Sequence, residues 1–89
     1  MKKDPDIKLF EDFFGVEFTP CESSNIKAYA KISDGSHTDI LILYNNLNCY
    51  RYLGAGKLYE SLDLADSKGK WVNQNLVKGE FPFKKYEAK

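Results

Sequence analysis

The chain has 89 residues, of which 43% are hydrophobic and 15% aromatic. This length allows one small domain, which we expect to span residues 1–89, and the apolar content is higher than that of disordered chains. Thirteen basic residues balance thirteen acidic ones and the two signs are interspersed. This argues against nucleic acid as a partner, because proteins that bind it carry a basic excess that neutralises phosphates.

The sequence carries no sign of secretion or membrane insertion. No signal-peptide pattern opens it, and no apolar run approaches the roughly 20 residues of a membrane span. We therefore expect a cytoplasmic protein that does not contact a membrane. Two cysteines, Cys21 and Cys49, are too few for a disulfide framework and lack metal-ligand spacing. We expect both to be reduced and buried, and a single bridge between them is the alternative.

The first predicted element is a short amphipathic helix over residues 5–14. Asp4 supplies an N-cap side chain and Pro5 occupies the first helical position, where its missing N–H costs nothing. Gly15 offers a C-cap. The apolar stripe of this helix is expected to pack on a sheet. It consists of Ile7, Phe10, Phe13 and Phe14.

Three strands are predicted next, at about 26–33, 38–44 and 49–60. In the first strand, alternate residues are apolar, which predicts one buried face. These residues are Ile26, Ala28, Ala30 and Ile32. Asp34-Gly35 marks a hairpin turn. The second strand is apolar on both faces, which is typical of a central strand.

A second helix is predicted at about 61–78 and an extended tail at 80–89. Ser61 is the candidate N-cap and Gly79 ends the helix. Apolar or small residues spaced by three or four lie on one side of it, namely Leu62, Ala65, Gly69, Val72 and Leu76. The predicted fold is therefore of the α+β class, with the order α-β-β-β-α. We expect two helices to pack on one face of a three- or four-stranded antiparallel sheet.

The sequence contains no recognisable catalytic or metal-binding motif. Its one histidine, His37, lies beside Ser36, Thr38 and Asp39. Neighbouring residues of a strand point to opposite faces, so these side chains cannot form a Ser-His-Asp relay. Motifs for a bound nucleotide or metal are absent from the sequence as well. We therefore expect no enzyme activity, no catalytic residue, no metal and no cofactor.

Tyrosines are concentrated on or beside the predicted strands. Aromatic side chains with a few basic neighbours are typical of protein-recognition surfaces. The candidate partner-binding residues are Tyr29, Tyr50, Arg51 and Tyr52, together with Asp63 and Asp66 for a basic partner. In the alternative, Tyr50 and Tyr52 face the core while Arg51 faces water, because strand alternation permits either assignment.

The order helix, three antiparallel strands, helix resembles that of the double-stranded-RNA-binding domain. Pro20 precedes the first strand and His37 lies near the first hairpin, as in that family. The glycine pair of that family before the second helix resembles Gly54-Ala55-Gly56, and small residues along that helix resemble Ser61, Ala65 and Gly69. The resemblance covers most of residues 5–78 and implies the same α-β-β-β-α order.

The sequence departs from that family at the residues that bind RNA. Where the family places lysines at the start of the second helix, this chain has Leu62 and Asp63, with Asp66 one turn later. Negative charge at this place would repel a phosphate backbone. Such domains often serve as protein-protein modules instead, so the resemblance implies protein binding rather than RNA binding.

Together, these patterns favour a small non-catalytic protein-binding domain, such as an inhibitor, immunity protein or antitoxin-like antagonist from a bacterium or phage. The alternative is a degenerate double-stranded-RNA-binding domain that binds nucleic acid, and an enzyme of unknown class ranks third. We expect a monomer or a homodimer, since the last strand or the 81–86 tail offers an edge for pairing with a second copy.

Overall fold

The computed structural model describes residues 4–87, which form three α-helices and five strands. The helices are α1 (Pro5–Phe14), α2 (Tyr59–Leu64) and α3 (Lys68–Val72). The strands are β1 (Thr19–Pro20), β2 (Ile26–Ser33), β3 (Thr38–Tyr44), β4 (Asn48–Tyr52) and β5 (Phe83–Glu87). In addition, a 3₁₀ turn (Ala55–Leu58) precedes α2 and a π-helical turn (Asn73–Val77) follows α3.

The fold is of the α+β class, as predicted, and its antiparallel sheet has the strand order β1-β2-β3-β4-β5. The sheet has five strands instead of the predicted three or four. One addition comes from the predicted tail, because β5 pairs with β4 from Phe83 opposite Tyr52 to Glu87 opposite Asn48. Residues 88 and 89 of that tail lie outside the described residues. The other addition is β1, which pairs with β2 at the opposite edge.

Helices cover both faces of the sheet, which corrects the predicted packing of two helices on one face. We call the face under α1 the α1 face, and the face under α2, α3 and the π-helical turn the C-terminal face. Helical segments are needed on both faces because of β3. Its Ile40 and Ile42 side chains point to the C-terminal face, while Leu41 and Leu43 point to the α1 face. All four side chains are fully buried, so each face requires its own apolar cover.

Each face has its own apolar core. The C-terminal core consists of Ile26, Tyr29, Ile40, Ile42, Tyr52, Ala55, Leu62, Trp71, Val72 and Leu76. The α1 core consists of Ile7, Phe10, Phe18, Ala28, Ala30, Leu41, Leu43 and Cys49. The sheet therefore forms the middle of three layers.

A β-bulge in β2 changes which residues of that strand face which core. The register with β3 shifts between Ile26 and Ala28, which leaves Lys27 as the extra residue. As a result, Ile26 joins the C-terminal core whereas Ala28 lies in the α1 core. The predicted single buried face is therefore wrong, because Ile26 and Tyr29 are buried on the C-terminal face as well. At the bulge, the Lys27 ammonium pairs with Asp4 at the start of α1, with an N–O distance of 3.0 Å.

The predicted helix over 61–78 is interrupted. α2 ends at Leu64, and Ala65 has extended backbone with φ −69° and ψ 136°. The cause is a second helix start: the Ser67 hydroxyl accepts a hydrogen bond from the Lys70 N–H at 3.3 Å, which caps α3. Ser61 is not an N-cap but lies within α2, where its hydroxyl accepts a hydrogen bond from Trp71 Nε1 at 3.0 Å. That bond holds α2 and α3 together.

The third predicted strand is also shorter than expected. β4 ends at Tyr52 rather than near residue 60, because Gly54 adopts a left-handed conformation with φ 76° and the 3₁₀ turn begins directly after it. Gly56 lies so close to Thr38 that an added Cβ would overlap that side chain. The turn is therefore packed tightly against β3.

The two-faced core predicts a sharp difference between two leucines of α2. Leu62 is fully buried in the C-terminal core, whereas Leu64 is 76% exposed. We expect Leu62→Ala to lower the free energy of unfolding by about 2–5 kcal/mol, through lost transfer energy and a residual cavity. The matched Leu64→Ala change should stay within about 0.5 kcal/mol. Urea denaturation measures both values, and equal losses would contradict the placement of α2.

Candidate interaction surface

A cleft of about 460 Å³ lies on the C-terminal face, between β4, β5 and the end of the π-helical turn. We call it the aromatic cleft, because most of its lining is aromatic. Its residues are Tyr44, Asn46, Tyr50, Tyr52, Leu76, Val77, Glu80, Phe81 and Phe83. The volume lies in the range of pockets that hold a side chain or a small ligand.

A reversal of the chain after the π-helical turn builds one wall of the aromatic cleft. Glu80 has a positive φ of 59°, and the Phe81 N–H donates to the Leu76 carbonyl at 3.4 Å. The Pro82 carbonyl then accepts a hydrogen bond from the Leu53 N–H at 2.8 Å, which starts the pairing of β5 with β4. Phe83 is thereby placed opposite Tyr52.

The rings of the cleft are in mutual contact. The Tyr50 ring centroid lies 5.0 Å from that of Phe83 and 5.4 Å from that of Tyr44, nearly perpendicular to the latter. The hydroxyls of Tyr44 and Tyr52 are hydrogen-bonded at 3.0 Å. Burial raises the pKa of Tyr44 and of Tyr52 above the ordinary value, so both hydroxyls are neutral at physiological pH. The cleft therefore offers rigid rings and uncharged hydroxyl groups.

Part of this apolar surface is open to solvent. Phe83 is 54% exposed and Val77 52% exposed, although both are large hydrophobic residues. Isolated exposed apolar residues are common, but apolar groups that cluster around a concave site mark interaction surfaces. Among the described residues that line the cleft, Glu80 is the one that carries a charge.

The cleft borders an unpaired sheet edge. β5 pairs with β4 on one side, and no other residue within 4–87 pairs with its outer side. Lys84, Lys85 and Glu87 are exposed on this strand, and Lys85 pairs with Glu87 at an N–O distance of 3.3 Å. Charged side chains on an edge strand hinder unspecific strand pairing.

Two of the residues predicted to bind a partner lie in the aromatic cleft. Tyr50 is half-buried and contacts both Tyr44 and Phe83, whereas Tyr52 is buried and forms part of the floor. Both side chains point to the C-terminal face of the sheet. Tyr52 belongs to the core, and Tyr50 joins that core to the surface.

Tyr29 lies away from the cleft and is only 3% exposed. Its hydroxyl donates a hydrogen bond to Asp63 Oδ1 at 2.6 Å. Burial, followed by this carboxylate, raises the pKa of Tyr29, so the hydroxyl keeps its proton. Asp63 itself is exposed, as is Asp66. The pair of Tyr29 and Asp63 ties β2 to α2 and leaves little of the tyrosine ring for a partner.

Arg51 points away from the aromatic cleft, to the α1 face of the sheet. Its Nε donates to Asp39 Oδ2 at 2.7 Å, and Asp39 Oδ1 accepts the Gly54 N–H, also at 2.7 Å. Asp39 is only 1% exposed. The hydrogen bond to this carboxylate raises the pKa of Arg51 above its ordinary value. Arg51 therefore balances a buried charge, and it shares no surface with Tyr50.

His37 lies in the hairpin between β2 and β3, where it is exposed. Its backbone N–H donates to Asp34 Oδ1 at 3.0 Å, which closes the turn. A shallow polar depression nearby is lined by Asp34, His37, Asp39, Arg51, Leu53, Gly54 and Lys84. Its carboxylates and its arginine are already paired with each other, so their chemistry is that of a structural ion pair.

The two cysteines lie on opposite faces of the sheet and are not bridged. Cys49 is buried in the α1 core, whereas Cys21 packs at the border of the C-terminal core. The Cys21 thiol donates to the Ile26 carbonyl at 3.6 Å. Burial raises the pKa of Cys21, and raises that of Cys49 to about 12. Both are therefore thiols at physiological pH.

Seven residues of the aromatic cleft are not among the partner-binding residues predicted from the sequence. They are Tyr44, Asn46, Leu76, Val77, Glu80, Phe81 and Phe83. The alternating aromatics of Phe81-Pro82-Phe83 were the available signal, because a strand places them on the same side. Which strand they join, and therefore which tyrosines they meet, depends on the reversal at Glu80.

Within residues 4–87, no group of three His, Cys, Asp or Glu side chains is placed to hold a metal ion. No helix of the same range is long and apolar enough to cross a membrane. Comparisons of the chain with protein-family models, curated proteins and solved structures found no significant match. The inference about function therefore depends on the geometry of this surface.

The ion pair of Asp39 and Arg51 gives a prediction about stability. Asp39→Ala would leave the Arg51 guanidinium and the Gly54 N–H without their acceptor, so we expect a loss of about 3 kcal/mol. Asp34 is the control, since its carboxylate lies 3.7 Å from Arg51 Nη2 and is half exposed. Asp34→Ala should cost clearly less, because it removes only an exposed ion pair and an exposed turn hydrogen bond to the His37 N–H. Equal losses in urea denaturation would argue against a buried structural pair.

The cysteines give a second prediction. At pH 8, a disulfide reagent such as 5,5′-dithiobis(2-nitrobenzoate) should label Cys21 in the native protein and Cys49 only after unfolding, because Cys49 is buried and protonated. In a Cys21→Ser variant, labelling should therefore require denaturant. Native labelling of that variant at the rate of a free thiol would show that the α1 core is open.

Proposed function

We propose that this chain is a small non-catalytic protein-binding domain whose partner binds at the aromatic cleft. The observation that carries the proposal is the clustering of Tyr50, Phe83 and Val77, which are partly or largely exposed, around one concave site. Such a cluster keeps apolar area in water in the free protein. A partner that covers it would gain the free energy of burying that area.

The chemistry of the lining supports a protein partner. Tyrosine and phenylalanine supply large contact areas with few rotatable bonds, and aromatic residues are enriched at the centres of protein interfaces. The rings in this cleft are held by one another and by the hydrogen bond between Tyr44 and Tyr52. Binding would therefore cost little side-chain entropy.

The non-catalytic part of the proposal is supported by the groups that the cleft presents. Aromatic rings, two aliphatic side chains, one amide and one carboxylate line it, which provides surfaces for contact rather than a nucleophile beside a base. A small domain of this kind acts by covering a site on another protein. We therefore propose a role as an inhibitor, immunity protein or antitoxin-like antagonist.

A comparison of two phenylalanine variants tests the proposal. Phe83 lies in the cleft, whereas Phe13 of α1 is 66% exposed on the other side of the sheet. Immobilised wild type, Phe83→Ala and Phe13→Ala are incubated with a nuclease-treated extract of the source organism at physiological salt. Proteins retained by wild type and by Phe13→Ala but not by Phe83→Ala are then purified and titrated by calorimetry.

We expect one such protein, and we expect Phe83→Ala to weaken its binding roughly tenfold or more, as for residues at the centre of an interface. Phe13→Ala should leave the affinity within about twofold. The proposal fails if no protein is retained, or if both variants retain the same proteins as wild type. Recovery of nucleic acid from an extract not treated with nuclease would instead favour the nucleic-acid alternative.

A further inference from the structure

The aromatic cleft contains one carboxylate that pairs with no cation of residues 4–87. Glu80 lines the cleft and is exposed, and no cation among the described residues lies within ion-pair distance of it. On β5, the Lys85 side chain lies on the same side of the strand as Phe83, opposite Tyr50 in the pairing with β4. Its ammonium is held by Glu87 at 3.3 Å. The charge of Glu80 is therefore left for a ligand.

The ring arrangement next to this carboxylate suits a positive charge. Tyr44 and Tyr50 are inclined at 82°, and Tyr50 and Phe83 at 43°. The rings therefore face in several directions around the concave space. Aromatic faces are electron-rich and attract a cation that lies within about 6 Å of the ring centre. A carboxylate beside such rings attracts the same cation directly, through its negative charge.

We propose that the aromatic cleft selects an arginine side chain on the partner protein. This inference rests on the proposed function and names the chemistry of the same site. The guanidinium is planar and weakly hydrated, so it stacks on an aromatic face and donates paired hydrogen bonds to a carboxylate. Here Tyr50 and Phe83 supply the aromatic faces, and Glu80 supplies the carboxylate.

A neutral side chain would use the rings but not the carboxylate. An apolar group placed beside Glu80 would also remove part of the water that solvates this charge, without a compensating hydrogen bond. An acidic group would be repelled by it. The combination of exposed rings and one unpaired acid therefore distinguishes the three classes of side chain, with arginine bound best.

The test uses two blocked pentapeptides, Gly-Gly-Arg-Gly-Gly and the same peptide with norleucine in place of arginine. Each is titrated into isotopically labelled protein at low salt, and the ring resonances of Tyr50 and Phe83 are followed by NMR. We expect saturable shifts with the arginine peptide and at least about threefold weaker binding of the norleucine peptide, the size of an exposed cation–π contact.

Two variants separate the contributions. Glu80→Gln should weaken the arginine peptide about threefold, as expected for an exposed ion pair. Glu17→Gln is the matched control, since Glu17 is exposed next to β1 at the opposite sheet edge, and it should change nothing. Phe83→Leu keeps an apolar side chain but removes a ring, so it should weaken the arginine peptide and leave the norleucine peptide unchanged.

Equal binding of both peptides, no saturable shift with the arginine peptide at 10 mM, or unchanged affinity of Glu80→Gln would overturn the inference. The first of these results would leave the proposed function intact, because an apolar ligand would still occupy the cleft. The proposed function fails separately, when Phe83→Ala and Phe13→Ala have the same effect on the protein partner.

Discussion

The rest of the structure depends on the burial of β3 on both of its faces. Ile40, Leu41, Ile42 and Leu43 are consecutive and fully buried, and strand alternation sends them to opposite sides. A single layer of helices would leave two of them in water. The chain meets this requirement by placing α1 on one side of the sheet and the short C-terminal helices on the other.

The position of the aromatic cleft follows from where the helical segments on the C-terminal face end. The C-terminal face is covered by short pieces, and the cover stops at the π-helical turn, where Leu76 is buried and the next residue, Val77, is exposed. The chain then returns to the sheet as β5 instead of continuing over β4. Tyr50 and Phe83 are therefore left at the margin of the core, in contact with it and also with solvent.

The elements with local signals are the ones that the sequence predicts well. Asp4 and Pro5 mark the start of α1, and Asp34-Gly35 marks the hairpin between β2 and β3, because each signal acts within a few residues. The bulge at Lys27 and the break at Ala65 are not predicted. The bulge is a register shift in the pairing of β2 with β3 and so depends on the partner strand. The break precedes the local Ser67 cap of α3, a signal that the apolar spacing over 61–78 does not contain.

The same distinction applies to the candidate site. Tyr50 and Tyr52 are predicted because strand position and residue type are visible in the sequence. Phe83 and Glu80 are not, since their place beside these tyrosines requires the reversal after the π-helical turn and the pairing of β5 with β4. The ion pair of Arg51 is not predicted for a related reason: its partner Asp39 lies on β3, and spacing does not reveal that pair.

A NOESY spectrum of the protein with labelled isoleucine and leucine methyl groups tests the two-sided cover most directly. The account predicts contacts from the Phe10 ring to the methyls of Leu41 and Leu43, and contacts from Leu76 to Ile40 and Ile42. Phe10 should show none to the two isoleucines. Contacts of Phe10 and Leu76 with the same strand methyls would place both helical segments on one face and would contradict the account.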